Sequence, residues 1–193
     1  LQRLSDPEQP ELGLPRGFEK NWLLCPWRQQ QALLYSIQPW QVFEGGHDLH
    51  HWQLMHDVPL VLPDSIQGPL RNSAHPFPLP DCDGNQQLGL VVHRRRHGTY
   101  IYDQYLIILS ADTLLPLRIS REPILSVNAQ ALGLDLGFRK NSGVCYVSSV
   151  LVNDGVVQIY FNLFDCRTCV LALPAADLRC LIDDDTAFVA LSA

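Results

Sequence analysis

Long apolar runs are absent from this chain of 193 residues. No stretch reaches the roughly 18–20 consecutive apolar residues that a membrane-spanning helix requires, so we expect no membrane association. No secretory signal pattern opens the sequence, which begins with Leu1. Sustained helical periodicity is also missing, because apolar residues do not recur at the helical period along any long segment. The sequence therefore predicts a globular chain built mainly from strands.

Basic residues are few and scattered. The chain carries 14 Lys and Arg against 20 Asp and Glu, which gives a net charge of −6. The only dense basic run is Arg94-Arg95-Arg96. Nucleic acids and anionic membranes are bound by clustered Lys and Arg, so we expect neither as a partner.

Common catalytic and metal-binding motifs are lacking as well. There is no Gly-x-Ser-x-Gly nucleophile turn and no glycine-rich phosphate loop. Cys166 and Cys169 have metal-ligand spacing but no second cysteine pair accompanies them. The neighbouring His50 and His51 would point in opposite directions on a strand. We therefore predict no metal site.

The six cysteines stand mostly in apolar stretches. This placement predicts buried free thiols in a reducing compartment, and hence a cytoplasmic protein. An even count also permits disulfides, and the spacing does not decide between the two.

Short apolar runs separated by turn residues predict an all-β fold. Asn153-Asp154-Gly155 predicts a hairpin turn, because Asp-Gly readily adopts the positive φ that such turns need. Residues 63–86 are interpreted as a long irregular connection, residues 1–17 as a connecting arm and residues 175–182 as a short helix. The predicted strands are 21–27, 31–38, 40–44, 51–55, 87–94, 99–109, 115–119, 145–152, 156–163 and 168–173.

Three segments of the chain repeat one layout. Each has a polar-edged first strand, an apolar second strand that ends in a polar residue, and an apolar third strand. Their starts lie about 50–75 residues apart, which fits four-stranded blades around an axis, where each first strand lines a central channel. We therefore predict a β-propeller over residues 18–193, with about three blades in this chain.

These segments resemble a known family. Glu19-Lys20-Asn21-Trp22, followed by residues 34–39, is similar to part of the five-bladed propellers of glycoside hydrolase family 130, the β-mannoside phosphorylases and mannosidases. The similarity is greater to divergent relatives associated with glycosyltransferases. It spans residues 18–173 and continues, in the same order, through Arg71-Asn72-Ser73, residues 90–93 with 100–109, and residues 146–152 with 162–166.

The resemblance implies a polar cup at one end of the propeller axis, with Trp22 and Tyr35 as stacking faces for a sugar. The predicted substrate-binding residues are Glu19, Lys20, Asn21, Trp22, Arg71, His93 and Asp165. Simpler interpretations stay open: an exposed ion pair for Glu19 and Lys20, a core position for Trp22, a loop-ordering pair of Arg71 with Asp81 or Asp83, a solvated hairpin position for His93, and a turn cap for Asp165.

The resemblance further implies a propeller that acts on or binds an oligosaccharide or glycoside. An active member would be a glycoside phosphorylase or hydrolase, which transfers a glycosyl group to water or to inorganic phosphate as co-substrate. The family's general acid lies in a Glu-Asp-Pro-Arg-like segment, which this chain lacks, so no catalytic residue is assigned. The alternative is a non-catalytic carbohydrate-recognition module associated with a glycosyltransferase, and a propeller used only for protein contacts is a third possibility.

Three blades do not close a five-bladed ring. An open arc would leave sheet faces and strand edges exposed. We therefore expect either missing N-terminal blades or a partner chain.

Overall fold

The computed structural model describes residues 21–45, 51–80, 86–97, 99, 101–127, 143–165 and 167–192. Within these ranges the chain forms fourteen strands and one helix, so the all-β prediction is confirmed. The elements are β1 Leu23–Trp27, β2 Gln30–Ser36, β3 Trp40–Gly45, β4 Trp52–Val58, β5 Leu70–Asn72, β6 Phe77–Pro78, β7 Gln87–Arg95, β8 Tyr102–Ser110, β9 Pro116–Ser120, β10 Leu125–Ser126, β11 Cys145–Asn153, β12 Val156–Leu163, β13 Arg167–Pro174, α1 Ala175–Asp183 and β14 Phe188–Ala190.

The strands make three antiparallel sheets that follow one another along the chain. The first has the order β1-β2-β3-β4, and the third has the order β11-β12-β13. The second has the order β14-β9-β8-β7-β5, with β6 also paired to β7 and β10 to β8. Each of the three repeated segments found in the sequence therefore forms one sheet.

The stretch predicted to be an irregular connection contains two strands, so that prediction is wrong. Leu70–Asn72 and Phe77–Pro78 both pair with β7 and extend the second sheet on its inner side. The local sequence does not predict these two strands, because Pro and Asn are depleted in strands and each strand is too short to show alternating apolar residues. Tertiary pairing with β7 overrides this weak local preference.

Gly89 lies on β7 directly opposite Phe77 of β6. A Cβ atom at position 89 would overlap the Phe77 ring, which covers the bare backbone there. We expect Gly89→Ala to lower the free energy of unfolding by about 1–3 kcal/mol through overpacking. Chemical denaturation measures this, and Gly68→Ala, where nothing lies within 4 Å of the added atom, tests strain from positive φ alone. A loss at position 89 no larger than at position 68 would contradict the overlap.

The third sheet begins with the predicted hairpin. Asp154 and Gly155 have φ values of 48° and 75°, the left-handed conformation expected of a two-residue turn between β11 and β12. After β13 the chain enters α1, which confirms the predicted short helix, and returns to add β14 to the outer edge of the second sheet. Leu178 and Ile182 bury one side of α1.

The hydrophobic core lies in two layers, one on each side of the second sheet. Because side chains alternate along a strand, Leu90 and Val92 of β7 point toward the first sheet, whereas Val91 points toward the third. The second sheet is thus the middle member of an arc of three. Its core is filled mainly by branched aliphatic side chains, which suit a pleated buried surface.

No helix in the described residues is long and apolar enough to span a bilayer, since α1 has only 9 residues. The predicted arm, 1–17, lies outside the described residues. The boundary between this arm and residues 18–193 stays a prediction.

Candidate functional site

The first and second sheets are joined by two asparagines. Asn21, two residues before β1, has φ 68° and donates a hydrogen bond from its side-chain amide to the Asn72 carbonyl at 3.0 Å. Asn72, at the end of β5, in turn donates its amide to the Leu34 carbonyl of β2 at 3.0 Å. Asparagine tolerates the left-handed conformation better than most residues, which explains its use at position 21. These two successive bonds tie β5 of the second sheet to β2 and to the residue that precedes β1 in the first sheet.

The third sheet joins the same place through a tyrosine. The Tyr146 hydroxyl, at the start of β11, donates to the Ser73 carbonyl at 3.1 Å. Ser73 follows Asn72, so Asn21, Asn72 and Tyr146 bring the inner strands of all three sheets together at one end. We call this junction, formed by Asn21, Asn72, Ser73 and Tyr146, the hub.

His93 lies buried beside the hub. Its Nδ1 is 2.9 Å from the Ser73 hydroxyl oxygen, which also lies 3.0 Å from Oε1 of Gln104. The Gln104 amide nitrogen donates to the Cys145 carbonyl, so its Oε1 must be the acceptor for the Ser73 proton. The Ser73 oxygen therefore receives its second bond from a protonated Nδ1 of His93.

This proton arrangement decides what Ser73 can do. A serine nucleophile needs a histidine that accepts its proton, whereas here His93 donates and Gln104 accepts. The Ser73 hydroxyl is therefore a structural group that joins His93 of β7 to Gln104 of β8, while the Ser73 carbonyl connects this site to Tyr146 of the third sheet. The rings of Tyr102 and Tyr146 lie 5.3 and 5.4 Å from the His93 ring, which completes an aromatic enclosure.

We expect Ser73→Ala to lower the free energy of unfolding by about 1–3 kcal/mol, because it leaves the buried Oε1 of Gln104 without its hydroxyl donor. Thermal or urea unfolding measures the loss. Ser148→Ala is the matched control, since its exposed hydroxyl bonds only the Tyr160 carbonyl among the contacts of the described residues. Equal effects at the two serines would contradict a buried network at the hub.

An ion cluster occupies the same end of the second sheet, on the side facing the first sheet. Asp103 is fully buried and accepts hydrogen bonds from Arg94, Arg96 and Ser126, each at 2.8 Å. Burial by itself raises the pKa of Asp103, but the hydrogen bonds from Arg96, Arg94 and Ser126 outweigh burial and hold that pKa below its usual range. The basic run seen in the sequence is thus used largely for internal pairing.

An aromatic stack lies beside Asn21. Trp22 is 38% exposed, and its ring stacks on Tyr35 with centroids 5.6 Å apart and an angle of 28°. Tyr35 in turn meets the edge of the Phe43 ring at 5.6 Å. The interpretation of Trp22 as a core residue is therefore wrong, because its indole presents a supported, partly open face.

The described members of the predicted site lie at one end of their sheets. Arg71 is exposed and stands opposite His93 in the register of β5 and β7. Buried His93 rules out the solvated hairpin interpretation. Asp165 is exposed in the turn after β12, where it and Phe164 both have positive φ. Leu163, two residues earlier, pairs with Cys145 next to Tyr146, which places Asp165 near the hub end.

Glu19 and Lys20 lie outside the described residues, as do Asp81 and Asp83, the suggested partners of Arg71. The predicted binding roles of Glu19, Lys20, Asn21, Trp22, Arg71, His93 and Asp165 stay predictions. Sequence reasoning named Asn21 and His93 as site residues but assigned no role to four other side chains of the hub and its neighbourhood. The signal was available, since polar residues interrupt apolar strands at each of these positions: Asn72, Asp103, Gln104 and Tyr146.

Metal ligands do not converge in the described part of the chain, where no group of three His, Cys, Asp or Glu side chains has suitable geometry. His56 instead lies with Nε2 2.6 Å from the Thr113 carbonyl and ties the first sheet to the turn after β8. Cys25, Cys145, Cys169 and Cys180 are free thiols. Burial raises the pKa of Cys25 to about 11 and that of Cys145 to about 12, so both are poor nucleophiles.

Comparison with known proteins places this architecture. No protein-family model matches the sequence, and no curated protein matches it. Among solved structures, β-1,2-mannobiose phosphorylase from Listeria innocua, in complex with β-1,2-mannobiose, superposes with a TM-score of 0.60 at 14% identity. The match covers 86% of this chain and 46% of that one. The chain thus spans about half the length of the enzyme, which is a five-bladed propeller of glycoside hydrolase family 130.

At this level of identity the comparison shows the fold. The three sheets correspond to about three blades of a five-bladed propeller, so the predicted fold and the structural resemblance to that family are confirmed.

Proposed function

We propose that this chain binds an oligosaccharide at the hub end of its three blades. The observation that carries the proposal is the hub, where the inner ends of the three sheets meet. There Asn21 and Tyr146 donate hydrogen bonds to the carbonyls of Asn72 and Ser73, and the partly exposed indole of Trp22 follows Asn21 in the chain. Sugars present hydroxyl groups at the ring edge and C–H groups on the ring faces. Amides, a guanidinium and a carboxylate bind the first, and an aromatic face packs against the second.

The proposed contacts divide between two kinds of group. Trp22, held by its stack on Tyr35, supplies the apolar face. Asn21, Arg71 and Asp165 supply donors and acceptors from the three sheets in turn, while buried His93 acts behind the surface to hold Ser73. This division follows the general form of small-ligand sites, which combine apolar surface with a few placed polar groups.

The ligand class we propose is a β-mannoside, by analogy with the disaccharide bound to the Listeria enzyme. An active protein would break the glycosidic bond with phosphate or water as acceptor. Glycoside cleavage needs a carboxylic acid with a raised pKa to protonate the leaving oxygen. Asp103 cannot serve, because its pKa is lowered and both arginines hold it ionised.

The second candidate is a non-catalytic carbohydrate-recognition module, which agrees with the lack of a Glu-Asp-Pro-Arg-like segment in this sequence. Such a module needs the aromatic face and the hydrogen-bonding groups but no proton donor. Its association with a glycosyltransferase is part of this second proposal. We further propose a cytoplasmic location, supported by the free thiols of Cys25 and Cys145 in the core.

A titration of the full chain with β-1,2-mannobiose, followed by NMR chemical-shift changes, tests binding. We expect saturable shifts, and at least a tenfold weaker Kd in Trp22→Ala, equivalent to about 1.4 kcal/mol. Leu24→Ala is the matched control, because Leu24 lies two residues further along and is 40% exposed. A glycan array extends the test to other linkages, and absence of binding to every mannoside would refute the proposal.

Phosphate dependence separates the two candidates. The bound disaccharide is incubated with and without inorganic phosphate, and mannose 1-phosphate and free mannose are measured. Formation of mannose 1-phosphate would support the phosphorylase, and free mannose alone would support a hydrolase. Binding without either product supports the recognition module.

A further inference from the structure

The outer edge of the third sheet is chemically unlike an ordinary exposed edge. In the described part of the chain, β13 pairs with β12 on one side and with no strand on the other. Residues 168–174 carry no charge, and Val170 and Leu171 are 54% and 44% exposed on successive positions. Edges left open to solvent are usually protected by charged residues, bulges or shortness. β13 has eight residues and no bulge, and its one charged residue and its one proline, Arg167 and Pro174, stand only at its two ends.

The hydrogen-bond pattern shows which groups this edge offers. The Ala175 amide donates to the Gly155 carbonyl, so the backbone at position 175 faces β12. Because the direction alternates in an antiparallel ladder, the backbone groups of Thr168, Val170, Ala172 and Pro174 face outward. Pro174 has no N–H, and its outward position is the one where proline is tolerated in a sheet. The outward donors are therefore those of residues 168, 170 and 172.

We propose that a second copy of this chain pairs with this edge, β13 against β13, antiparallel about a twofold axis at Val170. In this register Val170 faces Val170 of the second copy, and Thr168 faces Ala172 in both directions. Each facing pair exchanges two backbone hydrogen bonds. Both proline positions stay outside the paired segment, so no required donor is missing.

The edge favours its own copy because its pattern is self-complementary. A twofold pairing is closed and uses the same residues on both chains. With no charge between positions 168 and 174, it brings no like charges opposite one another. The exposed valine and leucine side chains gain cross-strand neighbours in the joined six-stranded sheet, which combines three strands from each copy.

Analytical ultracentrifugation of the full chain over a range of concentrations tests the pairing. We expect a dimer for the unchanged chain and a monomer, or at least a tenfold weaker dimer, for Val170→Lys, which places two like charges opposite each other. Leu151→Lys is the matched control, since Leu151 is 52% exposed in the same sheet but lies on β11, on the opposite side of the sheet from β13. This variant should stay dimeric.

The outcomes are decisive in both directions. A monomer at all concentrations, open-ended polymers, or equal loss of dimer in both lysine variants would overturn the proposal. Equal loss would mean that the sheet face associates rather than its edge. Binding of a different protein's strand with no self-association would overturn it as well.

A cysteine variant tests the register independently of any folding defect in Val170→Lys. Directly hydrogen-bonded residues have Cα atoms about 5.5 Å apart, within the range that a disulfide spans. Val170→Cys should therefore give a covalent dimer under mild oxidation, in excess of the unchanged chain with its exposed Cys180. Ala172→Cys faces position 168 and should not. Equal cross-linking of the two variants would overturn the proposed register.

Discussion

Asp103→Ala is expected to destabilise the fold by about 3–5 kcal/mol, because it leaves the largely buried guanidinium of Arg94 without a counter-ion. The side chain of Asp103 is completely buried, and that of Arg94 is 14% exposed. Arg94 also bonds the Ser65 and Gln67 carbonyls, so its loss of position would loosen the segment before β5. Urea unfolding of the two proteins at neutral pH gives the difference.

The matched control is Asp112→Ala, which removes an exposed aspartate whose backbone carbonyl, not its carboxylate, accepts from Arg28. Surface substitutions of this kind change stability by about 0.5 kcal/mol or less. A loss at position 103 no greater than at position 112 would contradict the role given to the buried ion cluster.

The lowered pKa of Asp103 also gives the direction of a pH effect. The unfolded chain takes up the Asp103 proton near the ordinary pKa of about 3.9, whereas the folded chain takes it up only at lower pH. The carboxylate therefore contributes stability that is fully present above the unfolded pKa and is lost as pH falls through the folded pKa. Asp103→Asn lacks this carboxylate contribution. The difference in unfolding free energy between the unchanged chain and Asp103→Asn should therefore shrink below pH of about 4. A difference that stays constant would contradict the assignment.

Trp40→Ala is expected to lower the free energy of unfolding by about 3–5 kcal/mol. Trp40 is fully buried in the core layer between the first and second sheets. Removal of its indole would leave a large cavity there. In the described residues its indole N–H has no hydrogen-bond acceptor. Trp40→Phe should therefore be far less harmful, because it keeps most of the packing and removes a buried donor that contributes no bond.

Trp22→Ala is the control for the same chemical change at an open position. Since Trp22 is 38% exposed, its removal should leave most of the stability intact while weakening sugar binding. Thermal unfolding of the three variants orders them as Trp40→Ala least stable, then Trp40→Phe, then Trp22→Ala. An unfolding temperature for Trp22→Ala as low as that of Trp40→Ala would show that the indole is needed for folding instead of for binding.

The stability losses expected at Trp40, Asp103 and Ser73 should be largely independent, because these residues share no partners within the described ranges. Trp40 and Asp103 lie on the same side of the second sheet, but one belongs to the apolar layer and the other to the ion cluster at its end. Ser73 lies on the opposite side with His93 and Gln104. Separate sites without shared partners have additive effects on stability, so combining Ser73→Ala with Trp40→Phe should give nearly the sum.

Several elements were accessible from the sequence because their signals are local. Alternating apolar residues located β11 and β12, and Asp154-Gly155 located the turn between them. The strands β5 and β6 gave no periodic signal, because three and two residues are too few to show a period, and only the repeat indicated a first strand at Arg71-Asn72-Ser73. Their ladder of backbone hydrogen bonds forms only when they pair with β7, which lies further along the chain.

The candidate site divides in the same way. A polar residue near a strand start, such as Asn21, can be recognised in the sequence, but its bond to the Asn72 carbonyl depends on how two sheets pack. The basic run at 94–96 has no evident partner in the sequence, but Asp103, on the facing strand, lies between two of its members. Charge partners of this kind are set by strand register, which the sequence does not state directly.

By itself the sequence determined that this chain is all-β, with three similar strand groups, because alternation and turn chemistry act over a few neighbouring residues. Only the tertiary structure decided that Asn72, Ser73 and Tyr146 meet at one hub, that Asp103 pairs with two arginines, and that the edge of β13 stays unpaired within the described chain. The physical reason is that these contacts join residues far apart along the chain. Their energies exist only once sheet packing has brought the groups within hydrogen-bonding distance.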